Sequence, residues 1–213
     1  MLSIPNAQLF ALCQKDVNLI KELYHLDAKV SLIYIDDKIP SIVPSKLNDE
    51  YVMIGSWDRK DNYEGALWLI NGLPRFLSKP ITINIIGNKF PIDKIEKSNM
   101  INVNCLGFVD NPYPFISECR AMLSPLFSGA GIKVKVIDAL ACGTPVIGTD
   151  IAFEGFSDKY HMLLKRCDDL TSFAHTIESV DFTIDERIAF KRMFISDFKS
   201  TTIPNWLVNQ FNI

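Results

Sequence analysis

Between residues 51 and 165, short apolar runs rich in β-branched residues alternate with longer amphipathic stretches, and the short runs close on glycine or proline. Tyr51-Val52-Met53-Ile54-Gly55 and Pro145-Val146-Ile147-Gly148 are apolar almost throughout, as strands buried on both faces are, and the stretches between such runs are long enough to be crossover helices. This alternation restricts the chain to an α/β domain on a parallel sheet. Strands are predicted at 51–55, 81–86, 101–106, 121–125, 145–148 and 161–164. Helices are predicted at 62–76, capped by Asn62, and at 112–119, 132–141, 169–179 and 185–198.

With 213 residues the chain can bury one sizeable core but not two full nucleotide-binding domains. The first fifty residues read differently. A helix is predicted over 8–26 and a strand over 29–35, followed by a loop with Pro40, Pro44 and Ser45 that reads as a linker. One helix and one strand cannot enclose a core, so they must pack on the main domain or belong to a second domain that is mostly absent. The expected organisation is residues 1–50 as that remnant plus linker, 51–200 as the α/β domain, and 201–213 as a terminal helix or tail.

Several function classes lose their handle. A net charge of -3 gives no electrostatic reason to expect nucleic-acid or anionic-membrane binding. Five scattered cysteines without a C-x-x-C pair fit a reducing cytoplasm better than a disulfide framework or a zinc site. No apolar run approaches the ~20 residues of a membrane span, and residues 1–10 lack a basic segment before an apolar one. Any membrane association is therefore expected to be peripheral, through a partner or acceptor. The sequence has no G-x-G-x-x-G at its first strand, no G-x-x-x-x-G-K-[ST] and no G-x-S-x-G, and its three histidines are not at metal-ligand spacing.

One constellation stands out, Ser128-Gly129-Ala130-Gly131-Ile132-Lys133-Val134-Lys135-Val136-Ile137-Asp138, followed by Ala139-Leu140-Ala141-Cys142-Gly143-Thr144-Pro145-Val146. Glycines before a helix let backbone amides approach an anion, and the helix N-terminus adds partial positive charge. Lysines at 133 and 135 in a first turn oppose the helix dipole, an arrangement that a bound anion relieves. Asp138, three residues after Lys135, is suited to ribose hydroxyls, although the same spacing also fits a solvated ion pair.

This run resembles the signature of glycosyltransferase family 4, in which a glycine loop, basic residues and Glu-Ala-Leu-Ala-x-Gly-x-Pro-Val form the donor nucleotide site. Gly55-Ser56-Trp57-Asp58-Arg59-Lys60-Asp61-Asn62 resembles the same family's first donor-domain loop, and Ile85-Ile86-Gly87, Leu106-Gly107-Phe108-Val109-Asp110 and Phe153-Glu154-Gly155 resemble the sheet edges that follow in the same order. The resemblance implies a Rossmann-like parallel sheet flanked by helices, the C-terminal half of a GT-B fold, and a nucleoside-diphosphate sugar as substrate with no cofactor or metal. It implies a base held near Gly107, Phe108 and Val109, and a ribose on Asp138. The diphosphate would lie against the glycine loop, with Lys133, Lys135, Arg59 and Lys60 as candidate cations, and the donor-binding set would include Gly55, Ser56, Gly129, Ala130, Gly131 and Ile132.

Arg59 and Lys60 also fit a solvated loop pair, and Phe108 a core position. Three departures bear on the donor: Asp138 stands for the usual glutamate, Ala130 for the first glutamate of a Glu-x7-Glu pair, and Ser56 and Asp61 for arginine and lysine. The family carries its acceptor site and much of its catalytic machinery on an N-terminal domain. This chain is therefore expected to be an incomplete glycosyltransferase, retaining by resemblance and inactive alone, that needs such a domain or subunit. No catalytic residue can be named. The rival expectations are a non-catalytic nucleotide-binding or assembly module and a nucleotide-sugar epimerase of related fold.

Overall fold

The computed structural model describes residues 8–31 and 35–199. Two structural units emerge. The first is a small parallel unit, β1 (Leu9–Ala11), α1 (Gln14–Tyr24) and β2 (Ala28–Val30), with Leu9 paired to Ala28 and Ala11 to Val30. The helix expected over 8–26 thus begins later. Residues 9–13 are apolar at nearly every position, a pattern that suits strand and helix equally, and pairing with β2 decides for the strand. The strand expected over 29–35 is Ala28–Val30, and the rest of that range lies partly outside the described residues, as does the whole of 201–213.

The second unit is a six-stranded, all-parallel sheet of β3 (Glu50–Ile54), β4 (Ile81–Ile86), β5 (Ile101–Gly107), β6 (Ala121–Ser124), β7 (Val146–Gly148) and β8 (Leu164–Arg166), in the order β5-β4-β3-β6-β7-β8. Between them run α2 (Lys60–Gly72), α3 (Tyr113–Glu118), α4 (Val134–Ala141) and α5 (Leu170–Ser179), with α6 (Ile184–Lys199) last. The fold is the expected Rossmann-like α/β layer structure. The last strand forms later than the expected 161–164, where His161 and Met162 sit in a turn that delivers Leu163 to the core.

Alternation along the strands divides the core in two. Val52, Met122 and Val146 face one way, with Val136, Ile137 and Leu140 of α4 and Phe194 of α6. Tyr51, Met53, Ile83, Ile85 and Ile147 face the other, with Leu69 and Ile70 of α2 and Phe173 and Ile177 of α5. At Gly65, α2 lies so close to the end of β6 that a Cβ would stand 1.7 Å from the Pro125 carbonyl oxygen. Only glycine permits that approach, which sets the helix directly beside the loop after β6.

Helix α6 closes the domain with two buried cations. Arg187 donates to the carbonyls of Gly143 and Cys119, both at 2.8 Å, and to the Thr144 hydroxyl at 2.5 Å. Those carbonyls lie at the C-terminal ends of α4 and α3, where the helix dipoles offer partial negative charge. Burial lowers the Arg187 pKa to about 10, which leaves it charged at neutral pH. Lys191 donates to the carbonyls of Ile39 and Ile42 and so ties the 3₁₀ turn Ile39–Ser41, within the expected linker, onto the domain. No helix among the described residues is long and apolar enough to cross a membrane.

Candidate functional site

From β3 the chain winds outward through β4 to β5, then returns to lay β6, β7 and β8 on the other side of β3. The connections leaving β3 and β6 therefore diverge and open a crevice beyond the carboxyl ends of these two strands, the place where open α/β sheets bind ligands. Both motif loops arise there. Residues 55–59 follow β3 and residues 125–133 follow β6, and they face each other across an open cleft of 320 Å³.

Gly129 and Gly131 adopt φ of 114° and 72°, in the left-handed region that favours glycine, and this folds the second loop back toward the first. The helix expected over 132–141 starts only at Val134, so Lys133 is its N-cap, in extended conformation and without a side-chain acceptor for the first-turn amides. The Val136 amide already donates to the Lys133 carbonyl at 2.9 Å, and the amides of Val134 and Lys135 are left for a ligand or for water. Only Lys135 lies within the first turn.

Gly55, Ser56, Arg59, Gly129, Ala130, Ile132, Lys133 and Lys135 line the cleft together. Gly131 is not on the lining, but its carbonyl accepts a hydrogen bond from the Lys133 ammonium. Lys60 turns away to Glu64, 3.5 Å distant on the exposed side of α2. Phe108 is 74% exposed, which removes the core alternative, while Val109, like Tyr113, packs against the core. Phe108, Val109 and Asp138 fall outside the cleft lining.

Two expectations about polar partners are corrected. Asn62 does not cap α2; Arg59 holds that place, and the Asn62 side chain instead bridges the two loops, donating to the Ser56 carbonyl at 3.0 Å and accepting from Lys135 at 2.9 Å. The neighbour pair of Lys135 and Asp138 does not form, because Lys135 is drawn to Asn62. Burial, and then the nearby Lys133 and Arg59, lowers the Lys135 pKa to about 8 against an opposing pull from Asp61. An ammonium held this way gains from an arriving anion.

Asp138 lies under the opposite pressure. Burial, then Asp36 of the linker, raises its pKa to about 6. Asp36 accepts from the Tyr113 hydroxyl at 3.1 Å, so this second polar pocket is shared by linker, α3 and α4. A hydroxyl donor placed there would relieve the buried carboxylate.

Asp61 lines the cleft itself and holds Arg59 by two hydrogen bonds, of 3.2 and 2.7 Å. Sequence reading singled it out only as a departure from a family pattern and gave it no role in the site. Glu154, read as part of a sheet edge, lies 3.6 Å from Lys133. No local spacing announces this contact, because the two side chains come from loops after different strands.

Comparison with known proteins agrees with this fold. A protein in the cps region of Klebsiella pneumoniae, described as an uncharacterized 44.6 kDa protein, is 24% identical over 200 residues, covering 78% of this chain and 51% of its own. The chain thus spans about half the length of this curated relative. Among solved structures, a glycosyltransferase from Rickettsia africae superposes with a TM-score of 0.65 at 14% identity, over 93% of this chain and 64% of that one. HepE from Anabaena in complex with UDP superposes with a TM-score of 0.62 at 13% identity, over 91% and 64%. Residues 48–180, which carry the sheet from β3 to β8 and both cleft loops, match the family described as glycosyl transferases group 1, and the chain belongs to that family.

Proposed function

We propose that this chain is the donor-binding half of a GT-B glycosyltransferase, which holds a nucleoside-diphosphate sugar while its glycosyl group is transferred to an acceptor. The observation that carries this reading is the cleft at the sheet's switch point, where the glycine loop and Lys133, Lys135 and Arg59 face one another. During transfer the bond between the anomeric carbon and the diphosphate oxygen breaks and negative charge develops on the leaving diphosphate. Lysines and backbone amides aimed at that charge stabilise it, most strongly where water is scarce. Asp138 receives the ribose and the loop carrying Phe108 and Val109 receives the base. Retention of configuration is part of the proposal, and the acceptor and its activating group come from an N-terminal domain or subunit.

Supporting a donor nucleotide of this kind, HepE, of the same fold, has been solved with UDP. The test is a thermal-shift panel of UDP, GDP, ADP, CMP and their sugars. A binding nucleotide at a hundred times its dissociation constant should stabilise the fold by about 2.7 kcal/mol. A folded sample that responds to none of them would sink the reading.

A second reading, a non-catalytic module, is favoured by one observation: each cleft cation already has a partner, Arg59 in Asp61, Lys133 in Gly131 and Lys135 in Asn62. Sugar transfer measured with a candidate N-terminal half supplied separates the two. Turnover supports the enzyme, and nucleotide binding without turnover supports the module.

A further inference from the structure

The glycine loop has a neighbour for which nucleotide binding has no use. Glu154 follows the 3₁₀ turn Asp150–Phe153 beyond β7, and one of its carboxylate oxygens accepts a hydrogen bond from Lys15 at the start of α1. Its other oxygen stands 3.6 Å from the Lys133 ammonium. Backbone contact follows the same line: a Cβ on Gly155 would lie 3.1 Å from that of Cys13 and 3.5 Å from that of Ile132. Residues 154 and 155 are thus wedged between the N-terminal unit and the anion loop. The Glu154 and Lys133 side chains are 20% and 12% exposed against 57% for Lys15, so the inner contact is the less screened of the two.

We propose that Glu154 is a positioning residue that couples the N-terminal unit to the donor site: it competes with a bound diphosphate for Lys133, and Lys15 sets how strongly it competes. This rests on the donor-site reading. A diphosphate that takes Lys133 leaves Glu154 with Lys15 alone, and Glu154 freed of Lys15 holds Lys133 more tightly. Coupling of this kind is reciprocal, so an N-terminal unit that draws Lys15 away lowers nucleotide affinity, and a bound nucleotide strengthens the Lys15–Glu154 contact. The Lys15 hydrogen bond, aided by Lys133 and the Gly131 amide and opposed by partial burial, holds the Glu154 carboxyl below the usual carboxylate range. It is therefore ionised at neutral pH, as competition requires.

The experiment measures UDP affinity by calorimetry for the full chain and for Glu154→Gln, Lys15→Met and the double variant, with unfolding of each ligand-free protein as the folding control. Glu154→Gln should tighten UDP binding about twofold to fivefold and Lys15→Met should weaken it about twofold, the range of one partly shielded charge pair. In the Glu154→Gln background Lys15→Met should change nothing, a non-additivity that a merely structural role would not produce. UDP binding that is unchanged in Glu154→Gln, or a Lys15→Met effect equal in both backgrounds, overturns the coupling while the donor site stands. Should the parent chain bind another nucleotide of the panel instead of UDP, the same comparison is made with that nucleotide, and failure to bind any of them overturns both. Should Glu154→Gln not fold, Lys15→Met alone decides, since an affinity equal to the parent's contradicts the proposal.

Discussion

Both units of this molecule are built from parallel strands bridged by helices, yet they bury very different amounts. Eight-residue α4 buries Val136, Ile137, Ala139, Leu140 and Ala141, whereas eleven-residue α1 buries nothing among the described residues. Leu19, Leu23 and Tyr24 of α1 are exposed, as are Leu9, Leu12 and Leu26 around it. The connectivity is the same, so connectivity does not make the stability. The six-stranded unit is held by two apolar layers, and the small unit by its two strands and by contacts at Cys13 and Lys15. Apolar surface left open beside a two-stranded sheet fits the proposal that a further α/β domain belongs there.

The strongest way to break the comparison is to overfill the packed unit. Gly65→Ala drives a methyl into the Pro125 carbonyl and should cost about 3 kcal/mol or more, read as a fall in urea midpoint, since overpacking typically costs 1–3 kcal/mol and backbone cannot yield as a side chain can. A loss under about 1 kcal/mol would show that α2 and the loop after β6 are less tightly joined than described. Next in size, Arg187→Met leaves two buried carbonyls and a hydroxyl without their donor and should cost about 2–4 kcal/mol. A neutral result would mean that the methionine packs well enough to replace the guanidinium.

Asp138 sharpens the contrast inside the packed unit, because there the site works against stability. Its carboxyl titrates near 6 in the folded state against 3.8 for an ordinary aspartate. The folded state therefore holds the proton more tightly, and the domain loses stability as pH rises from about 4 to 6. Asp138→Asn should thus stabilise the ligand-free protein by about 1–2 kcal/mol at pH 7, with the gain fading toward pH 4. Destabilisation at pH 7 would contradict the burial argument. The smallest effect belongs to the N-terminal unit, where Leu23→Ala, at a side chain 63% exposed, should change stability by less than about 0.5 kcal/mol. A larger loss would mean that α1 is packed against something.

The inner strands β3, β4, β6 and β7 were legible because burial on both faces writes itself into local composition. The glycine loop was legible for a related reason, since positive φ at 129 and 131 demands glycine. What escaped was decided at a distance. Leu9–Ala11 is a strand because β2 lies beside it, and the stretch alone has no single period. Asn62 reads as a helix cap from its neighbours, but Lys135, seventy-three positions on, recruits it instead. The start of α4 slipped by two residues because Ile132 and Lys133 suit a helix in composition, while the turn imposed at Gly131 holds Lys133 extended. The contact of Glu154 with Lys15 and Lys133 joins the start of α1 to two separate loops, and no window of sequence contains it.

The central claim is that residues 55–62 and 128–138 together take part in the donor site. Amide hydrogen exchange of the whole chain, with and without saturating UDP, tests it most directly. The account predicts the largest slowing of exchange in those two stretches and at residues 107–109, above the general slowing that stabilisation of the whole fold produces. Exchange at Gly129, Gly131 and the first turn of α4 slowed no more than in the rest of the chain, despite demonstrated binding, would contradict it.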